Sequence, residues 1–249
     1  MDSYLISGAS RGLGLGLAQA VARRGGRLLA LARRESTELA ALGAQLPHYR
    51  FIACDLADSA HTSALGATLM AEVAGSGGNA YLINNAGVVE PIAPAGQYDD
   101  AALLHCLSIN LAAAILLSNA FIRQFSGREG DYRILNISSG AARKPYPGWS
   151  AYCSSKAGLD MYSRCAGLEQ QALANGVRIA SVAPGVIDTG MQAAIRGHDS
   201  LSFPQVAQFH QLQADGLLRS PAQSGSELLA LLHGELLGFG SVLDIRDLT

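Results

Sequence analysis

Three side chains in the run 136–156, NISSGAARKPYPGWSAYCSSK, can do chemistry together: Ser139, Tyr152 and Lys156. Tyr152 and Lys156 stand four residues apart, the spacing that puts two side chains on one face of a helix. A free phenol titrates near pKa ~10, and a cation about one helical turn away favours its ionised form. Such a tyrosine can give a proton to a carbonyl oxygen or take one from an alcohol, which is general acid/base work. Ser139, upstream at the end of an apolar run, would orient that oxygen and share its developing charge. Alone, a tyrosine and a lysine at this spacing are more often a surface pair on an amphipathic helix.

To converge, the three need a strand end, a loop and a helix start at one place. Ile134, Leu135 and Ile137 read as a buried strand ending at the serine, and Tyr152 sits on a helix predicted to run to about Asn175. A second chemical element opens the chain. After a short apolar run at 4–6 comes SGASRGLGLG, with Gly8, Gly12 and Gly14 spaced G-x-x-x-G-x-G and Ser10, Arg11 and Leu13 in the same turn. Helical spacing follows, with Leu13, Leu17, Ala20 and Val21 on one face. Missing side chains let the backbone approach a pyrophosphate, and the helix N-terminus supplies N–H donors and a positive dipole.

The end of the second strand (28–31) is where a NAD enzyme places an acid for the ribose hydroxyls. Here the chain reads Ala32, Arg33, Arg34. A guanidinium at that place can fork onto a 2′-phosphate, and Arg11 can reach the same group. The expected cofactor is therefore NADPH rather than NADH; three solvated surface arginines are the alternative.

Strand-like and helix-like segments alternate throughout. Further strands are predicted at 51–53, 81–83, 177–182 and 242–243, and helices at 36–45, 61–74 and 99–125. This order implies βαβ units, and so an α/β fold: one domain over 1–249, a Rossmann-type doubly wound parallel sheet of about seven strands with helices on both faces. Only 189–221 departs from it, rich in Gly, Pro, His and Gln and poorly periodic, as expected of a mobile lid over a substrate.

With 249 residues, 49% hydrophobic and 15% charged, the chain can bury a sizeable core. A net charge of −2 without a basic tract argues against nucleic acid and anionic membrane surfaces, leaving a small molecule as the expected partner. Cys54, Cys106, Cys153 and Cys165 form no CxxC pair, and the six histidines show no metal spacing. The cysteines are expected reduced and mostly buried, and no metal is expected. The opening MDSYLISGAS lacks the features of a signal peptide, and the longest apolar run, 111–117, is too short to cross a bilayer. A soluble, cytoplasmic protein is expected.

Taken together these motifs resemble the short-chain dehydrogenase/reductase family over nearly the whole chain. They occur in the family's order: the Gly8 turn, Asp55, Asn84-Asn85-Ala86-Gly87, Asn110, Ser139, Tyr152, Lys156, and Pro184-Gly185 leading to Thr189. The resemblance implies that Asp55 and the Leu56 backbone contact the adenine, and that Asn85, Ala86 and Gly87 line its ribose pocket. It implies that Tyr152 donates the proton, that Lys156 binds the nicotinamide ribose and lowers the tyrosine pKa, and that Ser139 holds the carbonyl. Asn110 would keep a relay water, and Val186 and Thr189 would meet the nicotinamide. Within the family the sequence is similar to the sepiapterin and benzil reductases, which reduce one ketone of a vicinal dicarbonyl or α-keto side chain with NADPH. Asp244 would there anchor a guanidine-like substrate edge, or else simply end the last strand. A NAD-linked alcohol dehydrogenase, a silent dinucleotide sensor and a scaffold are the rival readings. In relatives the two long helices form a four-helix interface, so a homodimer or homotetramer is expected.

Overall fold

The computed structural model describes residues 1–248. Its centre is strand β1 (Ser3–Ser7), buried along its whole length. β1 pairs in parallel with β2 (Arg27–Ala32) on one side and with β4 (Ala80–Asn84) on the other. With β3 (Tyr49–Ala53), β5 (Tyr132–Ile137), β6 (Arg178–Ala183) and β7 (Ser241–Asp244), the seven strands form one sheet ordered β3-β2-β1-β4-β5-β6-β7, every neighbouring pair parallel. Continuous apolar runs in β1, β2, β5 and β6 follow from this, because a parallel sheet is covered on both faces.

Successive strand residues point to opposite faces, so the core has two halves. Tyr4, Ile6, Leu28, Leu135 and Val182 pack with α1 (Gly12–Arg24) and α9 (Pro221–His233). Leu5, Leu29, Leu82, Ile134 and Ile179 pack on the other side with α3 (Ser59–Ser76) and α5 (Ala113–Phe125). α1 and α9 cross with backbones in contact. A Cβ on Gly16 would lie 2.0 Å from the Pro221 carbonyl oxygen, and one on Gly225 would lie 2.3 Å from the Gly16 carbonyl carbon. The strand order reverses between β1 and β4, and in open α/β sheets ligands bind beyond the carboxyl ends of the strands at such a reversal.

Three expectations differ in detail. The helix expected at 99–125 is α4 (Asp100–Leu107), a π-helical turn (Ser108–Ala112) and α5. The stretch Asp100–Phe125 is also long and apolar enough to cross a membrane by length and composition, which the short run at 111–117 does not suggest. Here Ala113, Leu117, Phe121 and Phe125 lie in the core of the sheet, and a helix covering a parallel sheet is apolar for that reason. Third, α6 (Ser150–Gln171) ends before Asn175. Asn175 takes the left-handed conformation (φ 55°), and the Gln170 side-chain oxygen accepts from Val177 N–H, turning the chain into β6. The helix expected at 36–45 is α2 (Thr37–Gly43), which starts on a Ser36 side-chain cap.

Of the cysteines, Cys54 and Cys106 are buried, Cys153 is half-buried and Cys165 is exposed. The poorly periodic stretch 189–221 contains two helices, α7 (Gly190–Arg196) and α8 (Val206–Ala214). Its base is tied where Ile187 pairs with Arg219, Asp188 N–H donates to the Arg219 carbonyl (3.0 Å) and Arg219 N–H donates to the Val186 carbonyl (2.9 Å).

Candidate active site

The glycine turn after β1 is shaped by what surrounds it. Gly8 N–H donates to the Leu31 carbonyl at 2.8 Å, which sets the turn beside the end of β2. Gly8 has φ 67°, and a Cβ there would meet the Ala86 backbone at 2.9 Å. A Cβ on Gly14 would lie 2.0 Å from the Gly8 carbonyl oxygen, so α1 starts hard against the turn. Gly12 (φ 54°) faces the Thr189 side chain, which brings the loop after β6 to the same place. The N-terminus of α1 has no side-chain cap and no acid in its first turn. A cradle with glycine at each close approach and an uncapped helix start fits a dinucleotide pyrophosphate.

Arg33 and Arg34 follow the Leu31 carbonyl, and with Arg11 they are exposed. Among the described residues no carboxylate forms an ion pair with any of the three. Asp55 is exposed too, its Oδ1 accepting from Ala57 N–H at 3.0 Å, while the Leu56 side chain is in the core. Asn85 braces the turn: its Nδ2 donates to the Ser7 and Gly8 carbonyls at 3.0 and 3.2 Å. Ser7 Oγ accepts from both Asn85 and Ala86 N–H, so the segment after β4 is hung from the end of β1. Asn84 points the other way, donating to Asn136, Ser118 and the Ala114 carbonyl, and ties β4 to β5 and α5.

Ser139, two residues past β5, accepts from Ala141 N–H at 3.1 Å and so caps a short 3₁₀ turn, Gly140–Ala142. That turn and the loop to α6 swing the chain back, and Tyr152 arrives beside Ser139 on the first turn of the helix. Lys156 lies one turn on, its Nζ 6.0 Å from the centre of the Tyr152 ring and donating to the Ile137 carbonyl at 2.8 Å. Both side chains are buried. Burial pushes the Tyr152 phenol up to about 12, opposed by its hydrogen bond with Ser139. The same burial pulls the Lys156 amine down to about 8. This differs from the expectation that the lysine lowers the tyrosine: loss of water is the largest influence on the phenol, which keeps its proton at neutral pH.

Asn110 sits at the centre of the π turn and is buried. Its Oδ1 accepts from Val88 N–H at 2.8 Å, and its Nδ2 donates to the Val88 carbonyl at 2.8 Å and to Ser155 Oγ at 3.1 Å. The amide thus binds the loop after β4 to the helix that carries Tyr152 and Lys156. A Cβ on Gly87 would lie 3.4 Å from Asn110 Oδ1 and 3.6 Å from Lys156 Nζ, so the bare glycine leaves that end of the site open. π turns of this kind are frequent at functional sites. The neighbouring Ser138, equally buried, donates its backbone N–H to the Val182 carbonyl, and its hydroxyl has no hydrogen-bond partner among the described residues.

The far wall is apolar. Val89, Ile92, Trp149, Tyr152, Ile195, Phe203 and Phe209 form one cluster, with Phe203 and Phe209 supplied by the α7–α8 stretch. On the other side, after Pro184 and Gly185, Asp244 ends β7 with its carboxylate already engaged. Oδ1 accepts from Arg246 N–H and Nε (3.1 and 2.8 Å), and Oδ2 from Arg246 and Arg143 Nη2 (2.7 and 3.2 Å). These bonds hold its carboxyl below the usual carboxylate range. Of the two expectations for Asp244, a substrate anchor or a residue that ends the last strand, the structure has it at the end of β7 with its carboxylate held by the chain's own guanidiniums.

Glycine cradle, braced asparagine, and a Ser/Tyr/Lys group at the carboxyl ends of parallel strands form one site. Residues 3–200 match the family model described as short chain dehydrogenase. The chain belongs to the short-chain dehydrogenase family. The members of this family are oxidoreductases that act on carbonyl or alcohol groups with a nicotinamide dinucleotide. This short-chain dehydrogenase is 38% identical over 248 residues to benzil reductase ((S)-benzoin forming) of Bacillus subtilis (strain 168), covering 99% of each chain. It is 31% identical to sepiapterin reductase of Mus musculus, covering 98% of this chain and 96% of the relative. Among solved structures, that of the KRED1-Pglu enzyme superposes with a TM-score of 0.84 at 28% identity, over 97% of this chain and 100% of that one.

Sequence reasoning missed four contributors to the site of this short-chain dehydrogenase: the π turn, Ser155 under Asn110, Ser7 under Asn85, and the aromatic wall of Trp149 and Phe203. Only Trp149 carried a signal, being the single tryptophan and three residues from Tyr152.

Proposed function

We propose that the protein is an NADPH-dependent carbonyl reductase, acting on one ketone of an α-dicarbonyl or α-keto compound with Tyr152 as the proton donor. The observation that carries this reading is the buried Tyr152 phenol, protonated at neutral pH and hydrogen-bonded to Ser139 beside an apolar aromatic wall. A buried, protonated acid is the form needed to protonate an oxygen as a carbonyl is reduced. Similarity to benzil reductase supports the dicarbonyl class.

The dinucleotide would be held by Gly8, Ser10, Arg11, Gly12, Leu13 and Gly14, by Asp55 and the Leu56 backbone, by Asn85, Ala86 and Gly87, and by Pro184, Gly185, Val186 and Thr189. Arg33, Arg34 and Arg11 would select the 2′-phosphate. When bound, NADPH supplies the hydride. Ser139 orients the carbonyl oxygen, Tyr152 delivers its proton there, and Lys156 lies behind the phenol to balance charge as the proton leaves. Asn110 holds the two halves of the site in register and keeps a water on the proton path. Exposed Leu104, Met161 and Leu168 on α4 and α6 support assembly as a homodimer or homotetramer.

A panel of benzil, sepiapterin, isatin, simple ketones and sugars, each with NADPH and NADH, tests the reading. Turnover of a dicarbonyl with strong preference for NADPH is expected. Preference for NADH, or for simple alcohols, would overturn it.

A further inference from the structure

Trp149 is the only tryptophan in the chain and is 4% exposed, yet its indole Nε1 is buried without a hydrogen-bond partner among the described residues. An unmade bond at a buried donor is destabilising, and a buried tryptophan N–H ordinarily finds an acceptor. A phenylalanine would line the wall without that cost. The indole lies three residues before Tyr152 and meets its ring edge-on, with centroids 5.5 Å apart at 72°. In this apolar cluster the indole N–H and the Tyr152 phenol are the two buried polar groups. A polar atom entering beyond the carbonyl that Tyr152 and Ser139 serve would have the indole N–H as a donor on this wall.

The face of the indole is matched to a flat ring. Phe203 stacks on it, with centroids 4.5 Å apart and planes 12° from parallel. The ring is delivered by the segment between α7 and α8, whose Leu201 is 85% exposed. The segment is seated on Gly148, where a Cβ would come within 2.3 Å of the Ser202 carbonyl oxygen.

Resting on the functional reading above, we infer that Trp149 recognises the second oxygen of an aryl vicinal dicarbonyl. Its N–H donates to that oxygen while Tyr152 serves the first, and a substrate ring takes the place of Phe203 on the indole face. Trp149 is thus a specificity residue for a 1,2-dicarbonyl over a lone ketone.

Two measurements test this. In Trp149→Phe, the ratio of kcat/KM for benzil to that for deoxybenzoin, which keeps both rings but lacks the second oxygen, is expected to fall roughly five- to tenfold, the size of one hydrogen bond. Equal losses on the two ketones, or no change in the ratio, would overturn the assignment. Should that variant not fold, the wild type decides: with isotope-labelled tryptophan and NADP bound, the lone indole N–H resonance is expected to move downfield with benzoin beyond any movement with deoxybenzoin. The same movement with both overturns the inference. If the wild type reduces neither ketone with NADPH, the functional reading itself fails; if it reduces both and the ratio is unmoved, only the role of Trp149 does.

Discussion

Asn110 and Val88 are joined twice, amide oxygen to backbone N–H and amide nitrogen to backbone carbonyl, both at 2.8 Å. The π turn makes this possible, because one extra residue in the helix turns the amide toward the loop after β4 instead of along the helix face. Asn110→Leu keeps the branched outline but strands both backbone groups of Val88. It should cost about 2–4 kcal/mol in chemical denaturation, with activity falling as Gly87 and Lys156 lose their alignment. A variant as stable as the wild type would show that the clamp is not structural.

Tyr152→Phe removes the acid while leaving the ring in its cluster. Turnover should drop roughly 100- to 10,000-fold, the usual share of general acid catalysis. NADPH binding, followed by quenching of protein emission, should stay nearly intact. Substantial residual turnover would refute the assignment of the proton donor.

On the proposed reading, preference for NADPH depends on arginines that have no carboxylate partner among the described residues. Arg33→Ala should weaken NADPH about ten- to a hundredfold, as expected for losing a charge-assisted contact, and NADH much less. An equal effect on both coenzymes would mean that Arg33 does not read the 2′-phosphate.

Lys156 makes stability depend on pH in a definite direction. Its amine titrates near 8 in the fold against 10.5 for a free lysine side chain, so between these limits the unfolded chain binds more protons. Stability from this group therefore rises with pH from about 8 to 10.5 and is lost as pH falls back through that window. Comparing pH 7 with pH 9.5 without cofactor, the wild type should gain on the order of 2 kcal/mol relative to Lys156→Met. A parallel response of the two proteins would contradict the buried-cation account.

Gly16→Ala tests the crossing of α1 and α9. The added methyl would sit 2.0 Å from the Pro221 carbonyl oxygen, and both partners are backbone, so the helices must part. A loss of roughly 1–3 kcal/mol is expected from thermal or chemical unfolding. An unchanged midpoint would mean that the crossing is slack.

The architecture was legible because its signals are local. Apolar runs at 28–31 and 134–137, glycines at Gly8, Gly12 and Gly14, and the Tyr152/Lys156 spacing all report on neighbours in sequence. Features made by distant segments were not. The end of α6 depends on Gln170 reaching Val177 across a left-handed Asn175, which helical periodicity does not register. The π turn adds one residue to an otherwise regular apolar pattern. The direction of the Tyr152 shift follows from how completely Trp149 and its neighbours exclude water, a property of packing between α6 and the α7–α8 stretch. Asp244 left two readings open, substrate anchor or strand end, because nothing in its own run reveals that Arg143, about a hundred residues away, folds onto it.

The backbone meeting of Gly16 with Pro221 and Gly225 joins segments from near opposite ends of the sequence. During synthesis, the apolar side of the first helix can be roofed only after α9 has left the ribosome. The nucleotide cradle is thus translated first and sealed late, and until then its greasy underside is exposed to whatever holds nascent chains apart.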